Sequence, residues 1–117
     1  MADATFRHGD PVMVDYTPAS GNVAAGDVVL VGNTAGWTCG IAHGDIANNT
    51  LGALAAGGGV YLVTNLDNAA TGAKVWWDNS ANKVTTTSTN NALFGFIVAS
   101  GGGGANTDCY ALHKPYV

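Results

Sequence analysis

Residues Thr71–Thr87 read TGAKVWWDNSANKVTTT, and their pattern decides the fold. Gly72 opens the stretch, Lys74 to Asp78 suit a first strand, Asn79 to Asn82 a turn, and Lys83 to Thr87 a return strand. Side chains alternate along a strand, so Val75 and Trp77 share one face and Lys74, Trp76 and Asp78 the other. One tryptophan therefore faces a core and the other faces outward or meets a partner. The turn is built from Asp, Asn, Ser and Ala, of which Asp, Asn and Ser bond their own backbone and Asn tolerates left-handed geometry. Val84 to Thr87 is β-branched throughout, which favours a pleated strand.

Outward from this hairpin, short apolar or alternating segments recur between turn signals. Pro11 to Thr17 alternates, with Pro11 at the first position, where a strand tolerates it. Val28 to Val31 is too short for a helix and reads as a strand buried on both faces. Trp37 to Ala42, Leu51 to Ala55, Val60 to Thr64, Leu93 to Ser100 and Asp108 to His113 complete the set. Turn chemistry lies between them at Gly9-Asp10, Pro18 to Asn22, Gly26-Asp27, Gly44-Asp45 and Asp67 to Ala70, and Gly101 to Gly104 reads as a flexible loop. About nine short strands at this spacing predict an all-β barrel or sandwich. The chain divides into an extended N-terminal arm, residues 1–8, and a single small β domain, residues 9–117. Phe6 is the one large apolar residue of the arm.

Composition narrows the function. The chain has 117 residues, enough for one domain with one core. Charged residues make up 10% of it, well below the roughly 25% usual in soluble domains. A surface so poor in charge suits either a subunit covered by neighbours or a small domain kept in solution by neutral polar groups. There is no Glu, and Gly supplies 17 residues, so long amphipathic helices are not expected. A net charge of -4 argues against a nucleic-acid surface. The first ten residues hold no apolar signal-peptide core and no apolar run approaches a membrane span. No membrane association is expected.

Catalysis needs titratable groups held together. His8, His43, His113, eight Asp and two Cys are present, but Gly-x-Ser-x-Gly and the P-loop are absent. Cys39 and His43 lie four residues apart across a strand end and a turn; a buried thiol beside a surface imidazole explains them without a dyad. Cys39 and Cys109 fit two separate buried thiols or a single bridge. There is no Cys-x-x-Cys and no His-x-x-x-His, so neither zinc nor any cofactor is expected. Asp78-x-Ser80-x-Asn82 spaces oxygens as a calcium loop begins, but Lys83 stands where its glycine belongs and no Glu follows, so a hairpin turn is the reading. The chain is not expected to be an enzyme.

The order of these segments resembles the capsid cement, or decoration, protein family of tailed bacteriophages. The resemblance is carried by Ala25-Gly26-Asp27-Val28-Val29, Gly40-Ile41-Ala42, Gly59-Val60-Tyr61-Leu62-Val63, the hairpin from Gly72 to Asp78 with Lys83-Val84-Thr85, and Leu93-Phe94-Gly95-Phe96-Ile97-Val98. Ala73, where an acidic residue would be expected, and the glycine run 101–104 depart from the pattern. The resemblance implies a structural virion protein, made in the host cytoplasm, that binds the outer surface of the head. It implies bridging of major capsid protein subunits, stabilisation of the shell, and a homo-oligomer, commonly a trimer. On that footing Ala2, Asp3, Ala4, Thr5, Phe6, Arg7 and His8 are the candidates for capsid contact, with Phe6 as anchor, and Trp76 is the candidate for contact between copies. A carbohydrate-binding β-sandwich is the alternative, which an aromatic row exposed in one groove would favour.

Overall fold

The computed structural model describes residues 3–32, 38–100 and 105–115. These form ten strands: β1 Thr5–Gly9, β2 Met13–Tyr16, β3 Val28–Val31, β4 Thr38–Ala42, β5 Gly52–Ala55, β6 Gly59–Asn65, β7 Lys74–Asp78, β8 Lys83–Thr85, β9 Ala92–Ser100 and β10 Thr107–His113. The fold is all-β, as its composition and turn spacing predict. The strand beyond the expected nine is β1, in the stretch expected to be an arm. Trp37 and the glycine run 101–104 lie outside the described residues.

The larger sheet runs β1-β6-β10-β9-β7-β8. Its pairings are antiparallel except one parallel contact, Asn65 to Val84, through which β8 meets β6. That contact closes β6, β10, β9, β7 and β8 into a small barrel. Tyr61, Val63, Val75, Trp77, Phe94 and Ile97 fill it, all fully buried. The hairpin enters this core as its alternation requires: Val75 and Trp77 point inward, while Trp76 is half-buried on the outer face. Trp77 and Phe94 rings lie 6.1 Å apart. The return strand ends at Thr85 rather than Thr87, because the Asp67 carboxylate accepts hydrogen bonds from the Thr85 hydroxyl and the Thr86 backbone N–H and turns the chain there. Those bonds hold the Asp67 carboxyl below its ordinary pKa. Beside the closure, the buried Asn65 side chain donates to the Ala69 carbonyl at 3.0 Å and accepts from the Ala69 N–H at 2.9 Å. A buried amide with both ends satisfied costs little.

The second sheet runs β2-β5-β4-β3. Val28, Cys39, Ile41 and Ala55 on one face join the barrel core. On the other face Ala42 and Leu54 form a smaller cluster with Ile46, closed by the antiparallel bridge between Val23 and Ile46. Gly52 makes room for Ile46: a Cβ there would stand 2.7 Å from an Ile46 methyl. Val28–Val31 is not buried on both faces, as its composition suggested. Among the described residues it pairs with β4 alone; only Val28 of the four is buried, and Val31 is 38% exposed.

Two devices join the sheets. Residues 5–16 run antiparallel to residues 52–62 across the whole molecule: β1 lies on β6, Val12 exchanges backbone bonds with Ala56 and Gly57, and β2 lies on β5. In the interior, His113 Nε2 lies 2.8 Å from the Cys39 carbonyl, donating to it and tying the end of β10 to β4. Its Nδ1 has no hydrogen-bond partner, and burial pulls the imidazole pKa down to about 4. Next to it Gly95, at φ +153°, passes so close to β10 that a Cβ would lie 1.8 Å from the Leu112 carbonyl oxygen.

Two outcomes follow from this joint. Gly95→Ala should lower the unfolding free energy by about 3 kcal/mol or more, measured by urea denaturation, since clash and backbone strain add. Because the folded His113 pKa lies below the ordinary 6.5, its contribution is complete above that value and is lost as pH falls towards about 4. The unfolded chain then binds a proton that the folded one refuses, a loss of about 2 kcal/mol at pH 5. His113→Gln should flatten the slope of stability between pH 7 and 5 relative to the parent chain; an unchanged slope would remove His113 as its source.

Candidate functional site

The surface divides into three regions bearing candidate residues. The first is the N-terminal segment. Ala2 lies outside the described residues. Asp3 and Ala4 turn inward: Asp3 Oδ2 accepts from the Val28 N–H at 3.2 Å, the Ala4 N–H donates to the Gly26 carbonyl at 3.0 Å, and Ala4 is buried. Burial raises the Asp3 pKa, partly offset by the Val28 bond. Thr5, Phe6, Arg7 and His8 are exposed along β1. Register shifts between Phe6 and His8, so the ladder bulges at Arg7. Arg7 carries its guanidinium to 4.9 Å from the centre of the Tyr110 ring, a cation–π contact.

Phe6 is 42% exposed, yet it already packs within its own chain. Its ring lies 4.8 Å from His43 and 5.5 Å from Tyr61. His43 Nε2 and the Tyr61 hydroxyl are 2.6 Å apart. Burial pushes the Tyr61 phenol up, so it stays protonated. These three side chains, with Ala4, Gly26 and Ala42, line an open depression of about 360 Å³. Phe6 thus forms one wall of a concave site that could receive a partner's side chain.

The second region continues β1 into β2. Val12 is 63% exposed, and Met13 and Val14 are each 45% exposed. Asp10 and Asp15 flank them and are exposed. Among the described residues no strand pairs with the outer edge of β2. Consecutive apolar residues on an uncovered sheet edge are a marker of association. The run Val12-Met13-Val14 was legible as a strand; that both faces would be open was not, because sequence does not show which strand ends a sheet.

The third region is the outer face of the hairpin. Trp76 lies opposite Leu93, and Lys74 opposite Phe96. Lys74, Leu93, Gly95, Phe96 and Lys114 enclose an apolar cavity of about 90 Å³. Trp76, the sequence candidate, borders this hollow through Leu93. Lys114 was missed, since it follows the last strand and meets Lys74 only through the β10-β9-β7 register.

Cys39 and His43 are a buried thiol and a surface imidazole, the reading favoured from sequence, and they form no dyad. Cys39 is buried and its Sγ lies 3.7 Å from His113 Nε2, while His43 is at the surface against Tyr61. Cys39 points into the core with Ile41 from β4, whereas His43 lies just beyond the end of that strand. Burial pushes its thiol up to about 12 and that of Cys109 up to about 11, so neither ionises readily to a nucleophile. Both cysteines are buried and free. Asp78 Oδ1 accepts from the Ser80 and Ala81 N–H groups, and Asn82 sits at φ 57°, the hairpin turn its spacing suggested. Among the described residues no three His, Cys or Asp cluster as metal ligands would, and no helix is long and apolar enough to cross a membrane.

In comparison with known proteins, a family model described as phage cement protein matches residues 6–111. No curated protein and no solved structure matches the chain.

Proposed function

The chain belongs to the phage cement protein family, and from that premise we propose that it decorates the outside of a phage head, bridges neighbouring major capsid protein subunits and strengthens the shell. Membership itself makes it a structural protein of the virion capsid. One observation supports the finer reading most: the edge from Thr5 to Tyr16 carries four of the large apolar side chains left exposed, Phe6, Val12, Met13 and Val14. A domain with its own filled core has no internal use for such an edge.

Shell contact is assigned to residues 2–8, of which Thr5, Phe6, Arg7 and His8 present side chains to a partner. Phe6 is the anchor, with the hollow beside it accepting a shell side chain. Each site need bind only modestly, because many copies on one particle multiply weak contacts. The protein acts as a homo-oligomer, a trimer by family analogy, with Trp76 at the contact between copies. It is made in the host cytoplasm before joining the particle.

Co-sedimentation with shells of its own phage lacking the protein tests the role. Saturable binding at a fixed ratio to the major capsid protein is expected, and no binding to expanded or unexpanded shells would overturn it. Deleting residues 2–8 is a poor probe, because it removes buried Ala4 and most of β1. Phe6→Ala keeps the backbone ladder and should raise the half-saturating concentration about ten-fold, as loss of an anchor does. Saturation at the parent concentration would dismiss Phe6 as anchor. Trp76→Ala should lower the native mass at low micromolar concentration, and an unchanged mass would count against Trp76.

A further inference from the structure

Charge is unevenly distributed along this chain. No Lys or Arg occurs between Arg7 and Lys74, whereas Asp10, Asp15, Asp27, Asp45 and Asp67 all fall there. The basic residues concentrate elsewhere: Arg7 lies over Tyr110 on β10, and Lys74 and Lys114 flank the hollow on β7, β9 and β10. Lys83 is occupied, donating to Asn106 Oδ1 at 2.8 Å. Neither Lys74 nor Lys114 has a carboxylate partner among the described residues, and neither do Asp10 and Asp15.

The two patches have matching chemistry. One is a ridge: Asp10-Pro11-Val12-Met13-Val14-Asp15, an exposed apolar centre between two carboxylates. The other is a hollow of about 90 Å³ with apolar walls of Leu93 and Phe96 between two ammonium groups. That volume is about three water molecules' worth, or one branched aliphatic side chain. Lys74 and Lys114 stand on opposite sides of Phe96: Lys74 pairs with it from β7, and Lys114 follows the β10 strand whose Leu112 pairs with it.

We propose that the occupant of the hollow is a second copy of this chain, which inserts its Asp10–Asp15 ridge between Lys74 and Lys114. A Val12 or Val14 side chain enters the hollow, and the two carboxylates meet the two ammonium groups. Ridge and hollow are different surfaces, so the contact is head-to-tail and leaves one copy with a free hollow and the other with a free ridge; a rotation that closes joins them into a ring. Copies of a chain with net charge -4 repel one another in general, and this contact is the arrangement that brings unlike charge together. The inference rests on the homo-oligomer reading above and specifies its interface. It leaves β1 and Phe6 free for the shell.

The test uses two full-length variants, Lys74→Asp/Lys114→Asp and Asp10→Lys/Asp15→Lys, with circular dichroism as the check on folding. Sedimentation equilibrium at 100 mM salt is the readout. The parent chain should associate, and its dissociation constant should rise with salt. Each variant alone faces like charge with like and should associate at least ten-fold more weakly. Mixed in equal amounts, the two restore ridge-to-hollow attraction at every contact between unlike partners and should associate more strongly than either variant alone, though a ring of three keeps one contact between like variants. A parent chain that stays monomeric at 200 μM, variants that associate as the parent does, or a mixture no stronger than its components would each overturn the proposal. Shell co-sedimentation separates this failure from that of the cement role. A monomeric parent that still saturates shells loses the ridge and hollow alone, whereas an associating parent that ignores shells loses the cement role alone.

Discussion

Backbone pairing of residues 5–16 with residues 52–62 is the constraint on which the rest depends. Past the bulge at Arg7 it keeps one register from the barrel into the four-stranded sheet, bridged by the Val12 bonds, so the two sheets are joined by backbone pairing rather than merely touching. Their relative position is then fixed by hydrogen-bond register, and the interior has to fit it. The fit is close: Gly95 has no room for a Cβ, and His113 reaches the Cys39 carbonyl with one nitrogen while its other is left bare. A neutral, singly bonded buried imidazole is tolerable because the hydrogen bond it makes joins the two sheets.

The same ladder explains the surface. A chain segment used on one edge only leaves its other edge and much of its side-chain surface to solvent. Here that segment bears Phe6, Val12, Met13 and Val14, and it draws its charge from Arg7, Asp10 and Asp15. The barrel contributes the opposite kind of surface, where Trp76, Leu93 and Phe96 lie among lysines. His43, His113 and the two cysteines serve the interior or its rim, whereas His8 stands exposed on β1.

Much of this was legible in the residues. Val75, Trp76 and Trp77 alternate so plainly that their faces could be assigned, and Asp78, Asn79 and Asn82 announce the turn. Strands β4, β5, β6, β9 and β10 follow from apolar runs between glycines and Asx residues. Strand β1 was not legible, because Thr5 to Gly9 carries no alternation: its side chains are exposed on both faces and its pairing is a backbone matter. Val28 to Val31 misled for the reverse reason, being uniformly apolar though it ends its sheet. The Cys39–His113 bond joins residues far apart in the chain, and nothing in local spacing announces it. The hollow between Lys74 and Lys114 likewise depends on register between three strands.

The two sides of this ladder lie far apart in sequence, as do those of β10 on β6, so both belong to the non-local pairings that slow folding. The ordered edge from Thr5 to Tyr16 exists only when its distant partner strands are in place, so the shape of that surface belongs to the folded chain and not to the segment by itself.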